Sequence, residues 1–355
     1  MKIEPYRLTA TEVVAQIRNG ELTVEQYARS LLARIAERDP VVKAWAFLNP
    51  ELVIEEAKKL DQVPVEQRGP LHGVAIAVKD VIYTKDMPTQ FNSPIYENDA
   101  PKVDGASIII LRKAGALILG KTTTTEFAAT VKGTKTTNPH DPGRTPGGSS
   151  SGSGATVGDF QAPIGLGTQT GGSTIRPGSF NGIYAFKPTW NSISREGQKI
   201  YSLILDTLGL YARSVADLEL LADVFALEDD EPADSSFTIK GANFAVYKTM
   251  IWPQAGPGLQ AAMDKAVVLL KAHGANVTAR PVVDGILSKY AAVLVPSVPD
   301  EAPTGIESTG SAAFNGIWTA LHTPVVNIPG FVGGNAVSQK VGEVFEAEGG
   351  WKPSN

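Results

Sequence analysis

With 355 residues, 43% of them hydrophobic, the chain is long enough to bury a sizeable core and to form about one to three domains. Thirty-two basic against 37 acidic residues leave a net charge of −5. No cluster of Lys and Arg tracks a phosphate backbone, so the expected partner is not a nucleic acid. The absence of cysteine excludes disulfides, thiolate metal sites and a cysteine nucleophile.

The opening stretch, MKIEPYRLTATEVV, lacks the apolar core of a secretory signal. The longest apolar runs, such as Val74 to Val78, fall far below the ~18 residues of a membrane span. The expectation is a cytoplasmic protein without membrane contact. The first sixty residues read as helices. Thr9-x-x-Glu12 and Thr23-x-x-Gln26 are capping-box patterns, each followed by apolar residues at helical spacing. Asn49-Pro50 sets a cap residue before a proline and opens a third helix over Glu51 to Leu60.

From Gly73 the texture changes. Val74 to Val78 reads as a buried strand ending at Lys79-Asp80. Ala106 to Lys113 reads as a helix stopped by Gly115, and Ala116 to Leu119 as the next strand. Twelve of the 35 glycines fall between Gly143 and Gly182. Glycine costs ~0.5–1 kcal/mol against alanine inside helices and strands, so this concentration implies backbone that must pass close to something. Further on, Val215 to Ala226 and Leu259 to His273 read as helices, and Phe244 to Tyr247 and Ala292 to Val295 as strands. Glu228 to Ser236 is a polar loop and not an interdomain linker. The alternation predicts an α/β fold with a mixed sheet in one domain over 1–355, with N-terminal helices over 1–68, a catalytic region over 69–226 and a diverged part over 227–355.

Three motifs compete. Gly115 to Thr122 (GALILGKT) satisfies the phosphate-loop pattern GxxxxGK(S/T), but that mechanism needs a preceding strand and a flexible loop. Here a helix precedes, and Ala, Leu, Ile and Leu belong in a core. Gly148 to Gly152 (GSSSG) matches the nucleophile elbow GxSxG, which sits between a strand and a helix and needs a downstream histidine. A turn-rich loop precedes it, and His273, at a helix end, makes a poor partner. His72, His140, His273 and His322 are scattered without ligand spacing, so neither a metal nor another cofactor is expected.

A serine hydrolase without a histidine needs another base, and lysine serves if burial lowers its pKa. Lys79 closes an apolar strand and is the candidate, although spacing alone favours an ordinary strand-end lysine paired with Asp80. Gly171-Gly172-Ser173 lets the main-chain N–H groups from Thr170 to Ser173 converge on one oxyanion. An anion cradle without chemistry remains the other reading.

GPLHGVAIAVKD (Gly69 to Asp80), NPHDPGRTPGGSSSGSGA (Asn138 to Ala155), APIGLGTQTGGSTIRP (Ala162 to Pro177) and FKPT (Phe186 to Thr189) together resemble the amidase signature family. Order and spacing both agree, with Ser149 and Ser173 standing 24 residues apart, and the resemblance runs from about Pro5 to Phe225. It implies a central mixed β-sheet surrounded by α-helices and a Ser–cis-Ser–Lys triad. Carried over, Lys79 is the base, Ser149 the relay serine preceded by a cis peptide bond, and Ser173 the nucleophile. Thr170, Gly171 and Gly172 line the oxyanion hole, and Ser151 helps orient the triad.

Many relatives carry Asp where this chain has Gln169, and GTQTGGS resembles the malonamidase-like branch. Arg176 stands three residues after the nucleophile, where that branch binds a substrate carboxylate; amidotransferase A subunits place their arginine two residues after it. The first expectation is therefore an amidase for a small, possibly carboxylate-bearing amide, free-standing or homodimeric. The second is an A-type glutaminase subunit of a tRNA-dependent amidotransferase. Two places depart from the family pattern: a helical stretch is missing between Val283 and Leu287, and a buried strand is missing after NIPGFVGGN (Asn327 to Asn335).

Overall fold

The computed structural model describes residues 3–227, 237–280 and 289–329. Both sequence departures, the one between Val283 and Leu287 and the one after Asn335, lie outside the described residues, as does the polar loop from Glu228 to Ser236.

Local signals place the first elements. Helices α1 (Ala10–Arg18) and α2 (Val24–Val42) start with complete capping boxes, in which Thr9 and Thr23 accept from the third backbone N–H and Glu12 and Gln26 reach back. Each box satisfies two orphan donors of the helix end. Strand β1 (Trp45–Leu48) follows, in a stretch whose composition reads as helical. It forms because β3 supplies its ladder partner, and Trp45 and Phe47 are residue types that favour strands. Helix α3 (Pro50–Asp61) begins at Asn49, whose side chain accepts from the amides of Glu51 and Leu52.

The buried strand is β2 (Ala75–Lys79). Helix α4 (Ala106–Lys113) ends as expected, with Gly115 at φ +90° making the turn into β3 (Leu117–Thr122). Helix α5 (Ser151–Gly158), β4 (Ile164–Gln169), helix α6 (Ile175–Phe180), β5 (Tyr184–Lys187), β6 (Thr207–Ala212) and helix α7 (Val215–Val224) complete the central layer. Strand β7 (Asn243–Tyr247), helix α8 (Pro257–Ala272), β8 (Asn276–Arg280), β9 (Ala292–Leu294), the short helix α9 (Gly316–Ala320) and β10 (Val325–Asn327) follow.

Seven strands form one mixed sheet in the order β1-β3-β2-β4-β6-β5-β10. Strand β2 runs parallel to both β3 and β4, and the other pairings are antiparallel. Every residue of β2, β3, β4 and β6 is buried, as expected of central strands covered on both faces. The α/β fold with a mixed sheet and surrounding helices is therefore the observed one. A separate three-stranded parallel sheet, β8-β7-β9, accompanies it. Periodicity located two of its strands without revealing that they leave the main sheet.

The glycine concentration has a packing cause. Helix α5 is buried along its whole length and made of Ser, Gly, Ala, Thr and Val, against the expectation that such composition avoids helices. A Cβ on Gly152 would lie 2.3 Å from the Ala44 carbonyl oxygen and 2.5 Å from the Thr123 amide nitrogen. On the sheet side, a Cβ on Gly167 would lie 2.9 Å from Ser150 Oγ. Small residues let the start of α5 and the end of β4 approach closely, which brings Ser149 next to the C-terminal ends of β2 and β4. Among the described residues, no helix is long and apolar enough to cross a membrane.

Candidate active site

Parallel pairing of β2 with β4, with Val78 opposite Leu166, carries Lys79 and Thr168 to the same edge of the sheet. Lys79 is fully buried, and its Nζ donates to Ser149 Oγ and to Thr168 Oγ1, each at 2.7 Å. Burial disfavours the ammonium and lowers the Lys79 pKa to about 7; the Asp206 charge opposes this shift and the Arg176 charge adds to it. The expected alternative partner is taken elsewhere. Asp80 meets Lys121 Nζ at 3.1 Å in a buried pair, and Lys121 also donates to Thr89 Oγ1 and the Pro88 carbonyl. The GKT of the phosphate-loop pattern is thus core strand: all of β3 is buried and its lysine neutralises a buried acid.

Ser149 follows a cis peptide bond from Gly148 and is buried. Its loop is held by main-chain contacts on successive carbonyls. Ser151 Oγ donates to the Gly147 carbonyl at 2.9 Å, and Arg176 Nη2 donates to the Gly148 carbonyl at 2.5 Å. Ser151 therefore acts on the loop backbone. Arg176 is buried, its Nη1 donates to the Gly310 carbonyl at 2.6 Å, and its Nε has no hydrogen-bond partner among the described residues.

The turn from Thr170 to Ser173 joins β4 to α6. Gln169 organises it: its Oε1 accepts from the amides of Thr174 and Ile175 at 2.9 and 3.0 Å, capping the start of α6. Its Nε2 donates to Thr319 Oγ1, which donates onward to the Gly171 carbonyl. An aspartate would serve the capping acceptor equally; the amide adds the tie to α9. Ser173 is half-buried, and its carbonyl accepts from Tyr211 Oη at 3.2 Å. Lys79 and Ser149 are brought into contact; the Ser173 hydroxyl forms no hydrogen bond among the described residues.

Three groups at this edge are given no role by the motifs. Thr168 shares Lys79, Ser150 Oγ accepts from the Thr168 amide at 3.2 Å, and Asp206 Oδ1 accepts from Thr170 Oγ1 at 2.5 Å. Ser150 and Thr168 lie inside the quoted motifs without an assigned role, whereas Asp206 is brought in by strand pairing and only knowledge of strand order could have pointed to it. The histidines lie apart. His322 stacks on Trp190, His140 Nε2 meets the Asn181 carbonyl, His72 is buried and His273 is exposed.

The Amidase family model matches residues 26–300. The A subunit of the glutamyl-tRNA(Gln) amidotransferase of Symbiobacterium thermophilum is 37% identical over 298 residues, 78% of this chain and 61% of that protein. The chain thus spans about three fifths of the length of that relative. Peptide amidase from Stenotrophomonas maltophilia is 30% identical with a TM-score of 0.68, over 78% of this chain and 63% of its own. Fatty acid amide hydrolase shares the fold at 20% identity, with a TM-score of 0.80 over 99% of this chain and 81% of its own. The likeness to the amidotransferase A subunit favours the second of the two functional expectations over the first. It also corrects the expected partners, a small-molecule amide with no nucleic acid and a second copy of the chain. The 37% relative is one subunit of an enzyme named for a tRNA. Net charge reports direct phosphate contact and is silent on membership of an assembly. With its signature motifs gathered at one sheet edge and its sequence matching from residue 26 to 300, the chain belongs to the amidase family.

Proposed function

We propose that the chain hydrolyses a carboxamide C–N bond through a Ser173 acyl-enzyme, as the glutaminase subunit of a tRNA-dependent amidotransferase. The observation that carries the chemistry is the contact of buried Lys79 with Ser149 beside the glycine turn. The likeness to an amidotransferase A subunit supports the assembly.

With Lys79 neutral, its lone pair accepts the Ser149 proton while Ser149 accepts the Ser173 proton. Ser173 Oγ then bonds to the amide carbon, and the carbonyl electron pair moves onto oxygen. Main-chain N–H groups from Thr170 to Ser173 receive that oxyanion. Collapse breaks the C–N bond, the relayed proton leaves on nitrogen as ammonia forms, and water opens the ester to regenerate Ser173. Each oxyanion donor of this kind contributes ~2.7–4 kcal/mol to lowering the barrier. Arg176 enters as a support of the Gly148 carbonyl, and both of its Nη groups already donate to main-chain carbonyls.

Since burial lowers the Lys79 pKa to about 7, the base is protonated below that pH and free above it. Ammonia release from glutamine should therefore rise through about pH 7 to a plateau, and Ser173→Ala should abolish it. Adding the remaining subunits of such an amidotransferase with glutamyl-tRNA should raise glutamine hydrolysis at least about fivefold. Full activity of the isolated chain, unmoved by them, overturns the subunit assignment. Unchanged activity in Ser173→Ala overturns the nucleophile.

A further inference from the structure

Thr207, the first residue of β6, pairs with Gln169, the last of β4, so Asp206 lies opposite Thr170 at the start of the candidate oxyanion turn. Asp206 is buried. One carboxylate oxygen accepts from Thr170 Oγ1 at 2.5 Å. The other accepts from the amides of Tyr201 and Ser202 at 2.6 and 3.0 Å. Arg195 Nη1 ties the same segment from the side, donating to the carbonyls of Leu203 and Asp206. The segment so clamped is exposed, with Tyr201 58%, Leu203 72% and Ile204 66% accessible. A buried carboxylate with both oxygens occupied is stiff. It fixes Thr170, and with it the direction of the main-chain N–H groups that follow.

We propose that Asp206 is a positioning residue that aims the Thr170–Ser173 turn at the developing oxyanion and balances charge at Lys79. This rests on the Ser173 acyl-enzyme reading. Lys79 donates to the hydroxyls of Ser149 and Thr168, and the Arg176 and Asp206 charges act on it through space. The nearby Asp80–Lys121 pair neutralises itself. Of the two charges that act on Lys79, Asp206 alone favours the ammonium form. Removing its charge therefore pushes the lysine pKa further down.

Asp206→Asn keeps one acceptor for Thr170 but puts an NH2 against the amides of Tyr201 and Ser202. Its kcat should fall about 10²-fold with KM within about threefold, and the acid limb of the pH profile should move to lower pH. Thr170→Val removes the same bond and leaves the charge; its kcat should fall with the limb in place. A merely structural aspartate would lower the melting temperature and leave the limb unmoved, and that result overturns the proposal, as does an unchanged kcat in both variants. Acylation of Ser173 by a fluorophosphonate, read by mass spectrometry, tests the underlying reading separately. Wild-type protein that is neither acylated nor active on amides refutes that reading. Titration of the Lys79 amine by NMR in wild type and Asp206→Asn then still decides the charge role: a downward shift supports it and no shift refutes it.

Discussion

Arg176 and Gln169 show how single side chains set the geometry of the glycine-rich turns. Arg176 is a planar donor with fixed fork geometry, and here it reaches the Gly148 and Gly310 carbonyls, locking the loop that presents Ser149. Burial lowers its pKa to about 10, and at neutral pH it remains a cation with one donor of each Nη engaged. Arg176→Leu should reduce kcat about 10²-fold through misplacement of Ser149, with KM for neutral and acidic amides affected alike. A KM rise confined to acidic amides in steady-state kinetics would return Arg176 to a carboxylate-binding role.

At the scale of elements, the site depends on how closely α5 approaches β3 and β4. A helix of Ser, Gly, Ala, Thr and Val has weak intrinsic propensity and forms because tertiary packing rewards a thin helix there. Gly152→Ala would drive a Cβ into the Ala44 carbonyl and the Thr123 amide, both of them backbone and unable to step aside. The expected destabilisation is about 1–3 kcal/mol, measured as a shift in the denaturant midpoint, with activity falling as α5 moves Ser149 off Lys79. An unchanged midpoint would mean that β1 and β3 yield more easily than their hydrogen bonds suggest.

Across the whole molecule, the N-terminal helices are fastened to the catalytic layer by Asp159 at the end of α5. Its carboxylate lies 2.9 Å from Arg38 Nε and 3.3 Å from Arg34 Nη2, and Arg34 Nε donates to its carbonyl at 3.0 Å. The aspartate is buried while both arginines keep some solvent contact, so solvent screening weakens the pair below a fully buried one. Asp159→Ala should cost about 2 kcal/mol, visible as a lower melting temperature, because two guanidinium groups lose their acid. Ser173 acylation at low temperature should stay near the wild-type rate, since Asp159 touches no group at the sheet edge; a large loss there would show that the helical layer tunes the site directly.

Some of this is written in local sequence. Thr9, Thr23 and Asn49 cap their helices through bonds spanning two or three residues; α4 and its glycine stop need only their own residues. Lys79, Ser149 and Ser173 are singled out by the resemblance of their motifs to the amidase signature, whereas spacing alone leaves Lys79 an ordinary strand-end lysine. Strand order and the second sheet are set by pairing between distant segments, as are the exchange of Asp80 from Lys79 to Lys121 and the gathering of Thr168, Ser150 and Asp206. Asp206 meets Thr170 across 36 positions, and Lys79 meets Ser149 across 70. Short-range hydrogen bonds and periodicity leave a trace in a linear pattern. The depth of burial that lowers a lysine's pKa, and the charges that act on it there, exist only once the sheet is closed over it.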